Sequence, residues 1–288
     1  MKVTNSQLET ISVTRSGNSD NNQLSQMHTM AQQGVPSYVI PPRIEPERAK
    51  AAFQPSDQEG GDHMLMKIIF GLSLGYLIAT CAESFIHQHV GHASPRLRRF
   101  WQRYPLIGTP FLAAFYGHHI VHHALTFRKD FVTQFEGAIE REMLDEKLPQ
   151  AWKKTIIADD YGVTLRGTSN FLFVVDITPL VPVIYFLFGP LVMFSAAIPM
   201  FVIYPMMSKW IHPLIHKAEM NLLATSTPLE RWIMNTRYMQ AVVSDHFLHH
   251  EYVTCNYNLL RGGDYLRFVH RDATLEERAR MRAIGLQS

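Results

Sequence analysis

The longest apolar stretch of the chain runs from Phe171 to Ser208 and is interrupted once, by Gly189-Pro190. Each half has about eighteen residues, or roughly 27 Å as a helix, which is close to the thickness of the hydrocarbon core of a bilayer. Glycine followed by proline favours a chain reversal. The stretch therefore predicts a transmembrane hairpin with segments at about 171–188 and 191–208, in preference to a buried hairpin in a soluble core.

Two other apolar segments precede this hairpin. Residues 64–81 carry one charge, Lys67, near the start of the segment, where its long side chain can reach the lipid headgroups. This segment predicts another membrane helix. Residues 105–117 are too short to cross a bilayer unaided and fit a re-entrant piece, an interfacial piece or a truncated span. Counting them as a crossing changes the side of the N-terminal tail, and the sequence leaves that open.

Composition separates the two ends of the chain. Residues 1–62 are polar and lack a helical or alternating period, so we expect a disordered tail before a membrane domain at 63–288. The net charge of +2 argues against a dedicated nucleic-acid-binding protein, so no nucleic-acid partner is expected. Arginines at 96–103 and at 261–282 place both regions on the cytoplasmic side. The predicted fold is all-α, an integral membrane helical bundle with a cytoplasmic histidine-rich helical cap.

The histidines are concentrated beside the apolar segments, in two HxxHH motifs, one HxxxH motif and an upstream pair. The predicted metal ligands are His87, His92, His119, His122, His123, His212, His216, His246, His249 and His250. On a helix, residues three and four apart share a face, whereas an adjacent pair diverges by about 100° and can serve two different ions. Ten imidazoles exceed what one ion of four to six ligands can use, so the pattern predicts two metal ions.

Three details of the ligand set stay open at this point. His89 and His118 each lie beside a predicted ligand, so either could replace its neighbour. Pro213 biases His212 away from helical geometry, so we expect His212 to cap a helix that begins at Pro213. The second nitrogen of a ligating imidazole needs a partner. The acidic candidates for that role are Glu83, Asp245, Glu251 and Asp264.

Several metal chemistries are excluded by the sequence. His250-Glu251 is not followed by the second histidine of an HExxH zinc-protease motif, and no Glu-x-x-His pair exists for a ferritin-type centre. Cys81 and Cys255 are too few and too far apart for a cysteine-based zinc motif. An all-histidine site at the ends of membrane helices remains.

The order and spacing of these motifs resemble the fatty acid hydroxylase and sterol desaturase superfamily, integral membrane di-iron oxygenases with histidine boxes. The stretch Glu83-x-x-x-His87-x-x-x-x-His92 resembles the first box of the family. The first HxxHH, the HxxxH and the second HxxHH motifs resemble the second, third and fourth boxes. Asn256-Tyr257-Asn258 and Asp264-Tyr265-Leu266 resemble the Asn-Tyr-Gly and Trp-Asp-x-Leu elements of that family. Asn258 stands where the family often has Gly, and Gly263 where it often has Trp.

The resemblance implies a membrane-bound non-haem di-iron monooxygenase that hydroxylates a C–H bond of a lipid-like or other apolar substrate. It implies two iron ions, O₂ as co-substrate, a separate electron-transfer partner, and boxes on the cytoplasmic side, with no catalytic residues beyond the metal ligands. Substrate is expected to enter from the membrane lipids, between the 64–81 helix and the hairpin. The expected aromatic walls are Phe171, Phe173, Tyr185, Phe186 and Phe188. The alternatives are a desaturase with the same centre, or a histidine-rich metal transporter or metal-binding membrane protein.

Overall fold

The computed structural model describes residues 60–127, 129–164 and 174–286. Every regular element within these ranges is helical, so the predicted all-α class is confirmed for the described part of the chain. The predicted disordered tail at 1–62 lies outside the described residues, except that Gly60, Gly61 and Asp62 form the start of the first helix.

Among the described residues, two helical spans are long and apolar enough to cross a membrane. The first is helix α1, Gly60–Ile86, which continues into a π-helical segment, π1, at His87–Gly91. The second begins as α7, Pro190–Ile198, and continues to residue 215. Its later parts are π3 Pro199–Ile203, α8 Tyr204–Met206, π4 Met207–Ile211 and α9 His212–Ile215. The predicted segments 64–81 and 191–208 lie inside these two spans.

The predicted chain reversal at Gly189-Pro190 is present. A shorter apolar helix covers Val174–Phe188, and its last part, Leu180–Phe188, is α6. Gly189 then adopts a φ of 82°, in the region that favours glycine, and Pro190 is the first residue of α7. The turn therefore sets α6 and α7 as a helical hairpin.

Helices α1 and α7 pack through small residues. A Cβ atom at Gly71 would lie 2.6 Å from Ser195 Cβ, and one at Gly75 would lie 2.2 Å from the carbonyl oxygen of Ala196. Glycine at these positions lets the two backbones approach closely, as small residues do between membrane helices. Because the contacts advance in the same direction along both chains, the two helices run parallel. Their histidine-bearing ends therefore lie on the same side.

A second helical hairpin follows π1 and leads into the histidines. Helix α2, Pro95–Arg103, is capped by the Ser94 side chain, and α3, Pro105–Phe115, returns beside it. The predicted 105–117 segment is thus one arm of a short hairpin, and α3 passes directly into the π-helical segment π2, Tyr116–Thr126.

The remaining helices form a cap at the histidine-bearing end. They are α4 Ala138–Lys147, α5 Lys153–Ala158, a 3₁₀ turn at Asp160–Gly162, α10 Glu219–Thr225, α11 Pro228–Met234, α12 Arg237–Glu251, α13 Gly263–Leu266 and α14 Leu275–Ala283. One buried core joins the apolar span to this cap, because Met200, Ile211 and Ile215 pack in the same cluster as Leu248 and Met281. This shared core holds the two histidine-bearing helices α9 and α12 together.

Candidate metal centre

The histidines gather into two adjacent groups. The first group is His87, His92, His118, His123 and His249, and the second is His122, His216, His246 and His250. Within each group the ligand nitrogens lie within 4.8 Å of one another, so each group could hold a metal ion. His212 adds a fifth imidazole to the second group, because its Nε2 lies 2.8 Å from His246 Nε2 and 3.3 Å from His216 Nε2.

The adjacent histidine pair of each HxxHH motif is divided between the groups. On π2, His122 belongs to the second group and His123 to the first. On α12, His249 belongs to the first group and His250 to the second. Consecutive side chains on a helix point in directions roughly 100° apart, so one helix can serve both groups at once. Each HxxHH motif therefore contributes histidines to both groups.

The structure brings His118, and not His119, into the first group, which is the alternative that the sequence left open for this position. A π-helix closes i→i+5 hydrogen bonds, so residues four and five apart share a face, and His118 aligns with His122 and His123. His119 lies outside both groups, with its Nδ1 2.8 Å from Nδ1 of His92. His89 is exposed and lies outside both groups.

The helix around Pro213 also differs from the expectation. His212 has helical dihedral angles, φ −54° and ψ −44°, and is the first residue of α9. The preceding π4 segment continues into α9 without a break, so Pro213 lies inside one continuous helical span and does not begin a new helix. His212 and His216 therefore lie one turn apart and face the same group.

Backbone carbonyls orient four of the imidazoles. Their Nδ1 atoms pair with carbonyl oxygens as follows: His87 with Tyr257 at 2.5 Å, His212 with Val163 at 2.5 Å, His216 with Phe131 at 2.8 Å, and His249 with Cys255 at 2.8 Å. A carbonyl oxygen only accepts, so each Nδ1 carries the hydrogen and each Nε2 presents its lone pair to the group. This is the tautomer that a metal ligand of this orientation requires.

The acidic residues expected beside the imidazoles have other partners. Asp245 accepts from Arg261 Nε at 2.8 Å and lies 3.3 Å from His270 Nε2. Glu251 pairs with Arg280 at 2.9 Å. Asp245 and Glu251 each adjoin a grouped histidine in sequence, and the turn of the helix points them away from the centre. Sequence reasoning missed the carbonyl partners, since every residue carries a carbonyl and no side-chain pattern marks one.

Glu83 supports the centre indirectly. Its carboxylate accepts backbone N–H groups of Leu259 and Leu260, at 2.9 Å each, and the Asn258 side-chain amide at 3.0 Å. These bonds tie the loop after α12 to α1. The same loop carries Tyr257, whose carbonyl orients His87.

Asp264 and Asn258 hold this loop closed, because the side chain of each accepts a hydrogen bond from the backbone N–H of the other. The Asp264 carboxylate accepts from the Asn258 N–H at 2.8 Å, and the Asn258 side-chain oxygen accepts from the Asp264 N–H at 2.7 Å. Ser84 of α1 donates to the same carboxylate at 2.6 Å. The residues that resemble conserved family elements therefore shape the loop that positions His87.

The spacing of the nitrogens fits a metal ion in each group. In the first group, Nε2 of His118 lies 2.7 Å from Nε2 of His87 and 3.1 Å from that of His123. In the second, Nε2 of His246 lies 2.8 Å from that of His212 and 3.1 Å from that of His216. Two nitrogens bonded to one metal at about 2.1 Å are roughly 3.0–3.4 Å apart for tetrahedral or octahedral angles. Because carbonyl bonds place the hydrogens of His212 and His216 on Nδ1, the two Nε2 lone pairs, 3.3 Å apart, repel each other unless a cation or a hydrogen lies between them.

Burial keeps the grouped imidazoles neutral. It lowers the pKa of His249 to about 4, and it lowers the pKa of His122, His246 and His250 well below the usual range. Neighbouring histidines lower the last three further. Only the neutral imidazole binds a metal, so the groups are in the ligating form at neutral pH.

A mostly apolar cavity of about 80 Å³ adjoins both groups. It is lined by His87 and His118 of the first group and by His212 and His246 of the second. The apolar wall residues are Ile86, Val90, Ala113, Ala114, Ile156 and Leu259. These come from α1, π1, α3, α5 and the loop after α12.

Among the described residues, the aromatic residues of the hairpin that were expected to form walls for the substrate do not line this cavity. Tyr185, Phe186 and Phe188 are exposed on the outer surface of α6, with Phe186 82% exposed. Phe171 and Phe173 lie outside the described residues. The cavity is therefore formed mainly by short helices near the histidines, and the hairpin aromatics are surface residues.

Comparisons of the chain with protein-family models, with curated proteins and with solved structures find no match. The superfamily resemblance therefore rests on the motifs and stays a prediction.

Proposed function

We propose that this protein is an integral membrane oxygenase that holds one iron ion in each histidine group and hydroxylates a C–H bond of a lipid-like or other apolar substrate. The observation that carries the proposal is the pairing of two five-imidazole groups with one apolar cavity that touches both. Neutral imidazole is a common ligand of iron, and adjacent ions suit chemistry that needs two electrons at once.

When bound, the two irons supply the reduction of O₂ and the oxidising power that converts R–H, O₂, two electrons and two protons into R–OH and water. The electrons come from a separate carrier. The protein itself holds the two irons and shields the reacting carbon from water. The carbonyls of Tyr257, Cys255, Val163 and Phe131 fix four imidazole tautomers, and the apolar cavity walls keep bulk water from the reacting carbon.

The placement of the groups supports a membrane site. The parallel spans α1 and α7 bring the histidines to one end, which we assign to the cytoplasmic side from the arginines at 96–103 and 261–282. On α6, Phe186 and Leu187 are 82% and 68% exposed, which suits contact with lipid chains. Transporters place polar ligands near the bilayer midplane, so histidines at the helix ends favour the oxygenase.

The metal content tests the centre. We expect about two irons per chain in detergent-purified protein, as predicted for two groups of four to six ligands. His122→Ala and His249→Ala, one in each group, should each reduce the iron content clearly. His89→Ala changes an exposed histidine outside both groups and should keep it. A protein loaded only with zinc or copper, and unchanged in the two variants, would contradict the proposal.

The reaction is tested with isotope-labelled O₂. The iron-loaded protein is supplied with a membrane lipid extract and a reduced electron carrier, and products are identified by mass spectrometry. A hydroxylated product that retains the label supports the proposal. An unsaturated product without label would mean that the same centre carries out desaturation and not hydroxylation. If the centre is fully loaded with iron and neither product forms, the proposed oxygenase reaction is wrong.

A further inference from the structure

The hairpin of α2 and α3 presents an apolar tip to the outside of the protein. Leu106 is 98% exposed and Ile107 67% exposed at the first turn of α3, and Phe100 and Tyr104 are about half exposed beside them. Contiguous exposed apolar side chains in this number mark a surface that another apolar phase covers.

Arginines flank this tip without acidic neighbours in the sequence. Arg96, Arg99 and Arg103 are exposed on α2, and the chain between Glu83 and Asp130 contains no Asp or Glu. Within the described ranges none of the three arginines forms an ion pair. The surface therefore combines free positive charge with exposed apolar side chains.

The hairpin is rigid, so its tip cannot fold back onto the protein. Trp101 of α2 is buried and stacks on Phe111 of α3, with ring centroids 5.2 Å apart. A Cβ atom at Gly108 would lie 2.1 Å from the carbonyl oxygen of Trp101, so the helices touch at this glycine. Such packing leaves the apolar tip without a partner among the residues that the structure describes.

Neither arm can cross a bilayer. Helix α2 has 9 residues, four of them arginine, and α3 has 11 residues before the chain continues into the histidine-bearing segment π2. Helices of this length span about half of a hydrocarbon core, and arginine in that core is costly. A short basic helix with exposed aromatic and aliphatic residues instead suits the plane of the membrane interface.

We propose that the α2–α3 hairpin docks on an anionic lipid leaflet, with Arg96, Arg99 and Arg103 on the headgroup phosphates and Leu106 and Ile107 in the boundary of the acyl chains. The charge of the surface selects anionic headgroups over zwitterionic ones. This docking does not depend on the proposed oxygenase activity.

The docked hairpin places the cavity beside the leaflet. Ala113 and Ala114 of α3 line the cavity, and α3 passes directly into the segment that carries His118. Ala113 is six residues beyond Ile107, so the cavity wall begins about 9 Å along α3 from the docked tip, at 1.5 Å per residue.

The test uses a photo-crosslinking amino acid at position 106 in the full chain. The protein is reconstituted in vesicles of phosphatidylcholine with or without phosphatidylglycerol, irradiated, and its adducts are identified by mass spectrometry. We expect lipid adducts at 106 that are enriched in phosphatidylglycerol. The same probe at Phe186, on the outer face of α6, reports reconstitution, and at Ile139, which is 76% exposed on α4, it should give no lipid adduct.

Charge variants distinguish the contribution of the arginines to lipid binding from that of the exposed apolar side chains. The triple change Arg96→Gln, Arg99→Gln and Arg103→Gln should lower the phosphatidylglycerol adduct at 106 by at least about fivefold. The matched change of Lys147, Lys153 and Lys154 to Gln should leave it unchanged. Adducts to a second copy of the chain, or to water alone with normal lipid adducts at 186, would overturn the proposal. Lipid adducts at 106 without a preference for anionic lipid would do so as well.

Discussion

The imidazole rings of His123 and His250 stack with centroids 4.0 Å apart and planes 22° apart, although they belong to different groups. His123 lies on π2 and His250 on α12, so this stack is one of the direct contacts between the two groups. Their sequence neighbours His122 and His249 belong to the opposite groups. The two HxxHH motifs are therefore joined by a shared pair of rings, and displacing one ring removes support from the other.

The stack leads to a prediction about metal loading. His123→Ala removes a ligand from the first group and His250→Ala removes one from the second. We expect each variant to lose roughly half or more of the bound metal, because loss of supporting contacts lowers metal affinity by about 10- to 100-fold. The double variant should bind almost none. Metal analysis of detergent-purified protein measures this, with His270→Ala as the control outside both groups. Full loading of the double variant would contradict it.

Residue spacing predicted part of this centre. The division of His122 from His123, and of His249 from His250, follows from the angle between consecutive side chains on any helix. The reversal at Gly189-Pro190 follows from the conformations those two residues prefer. Both depend on local geometry, which the sequence determines directly.

Other parts of the centre could not be predicted because they depend on the path of the backbone. The choice between His118 and His119, which the sequence left open, is made in a π-helical segment, and no residue in the motif announces that backbone path. The carbonyls of Val163 and Phe131 reach His212 and His216 through tertiary contacts across many residues. Side-chain chemistry pointed to acidic residues instead, which are bound elsewhere.

Gly91 permits close approach of two ligands and leads to the next prediction. A Cβ atom there would lie 3.0 Å from Cδ2 of His87 and 3.0 Å from Cδ2 of His118. Gly91→Ala must displace one of the rings, so we expect lower metal content and a loss of stability of about 1–3 kcal/mol. Thermal unfolding in detergent and metal analysis measure both. Gly137→Ala, which adds a Cβ atom with nothing within 4 Å, is the control. Equal behaviour of the two variants would contradict the packing argument.

The buried imidazoles predict that acid destabilises the metal-free protein. Burial lowers the pKa of His249 to about 4 and that of His122, His246 and His250 well below its usual range. In the unfolded chain these histidines titrate near pH 6.5, so below that pH the unfolded chain binds protons that the folded protein does not.

The resulting loss of stability begins as the pH falls through about 6.5 and continues to about 4, with up to roughly 1.4 kcal/mol per pH unit for each histidine. Melting temperatures of metal-free protein in detergent, measured between neutral pH and pH 5, should fall steeply. His246→Gln removes one fully buried titrating group and should make the fall clearly shallower, whereas His89→Gln, at an exposed position where burial lowers the pKa less, should change it much less. A melting temperature independent of pH would contradict neutral burial of these rings.

The cavity beside both groups gives the last prediction, which rests on the proposed oxygenase activity. Ala114 lines the cavity of about 80 Å³, and Ala114→Leu would project three more carbons into it. If the substrate occupies this space, we expect turnover to fall by at least about tenfold, the effect of a misfit of one or more methylenes in an apolar pocket. Metal content should stay that of the parent, because Ala114 does not touch a ligand nitrogen. Ala138→Leu, at an exposed position at the start of α4, is the matched control. Parental turnover with the cavity filled would place the substrate on another side of the histidine groups.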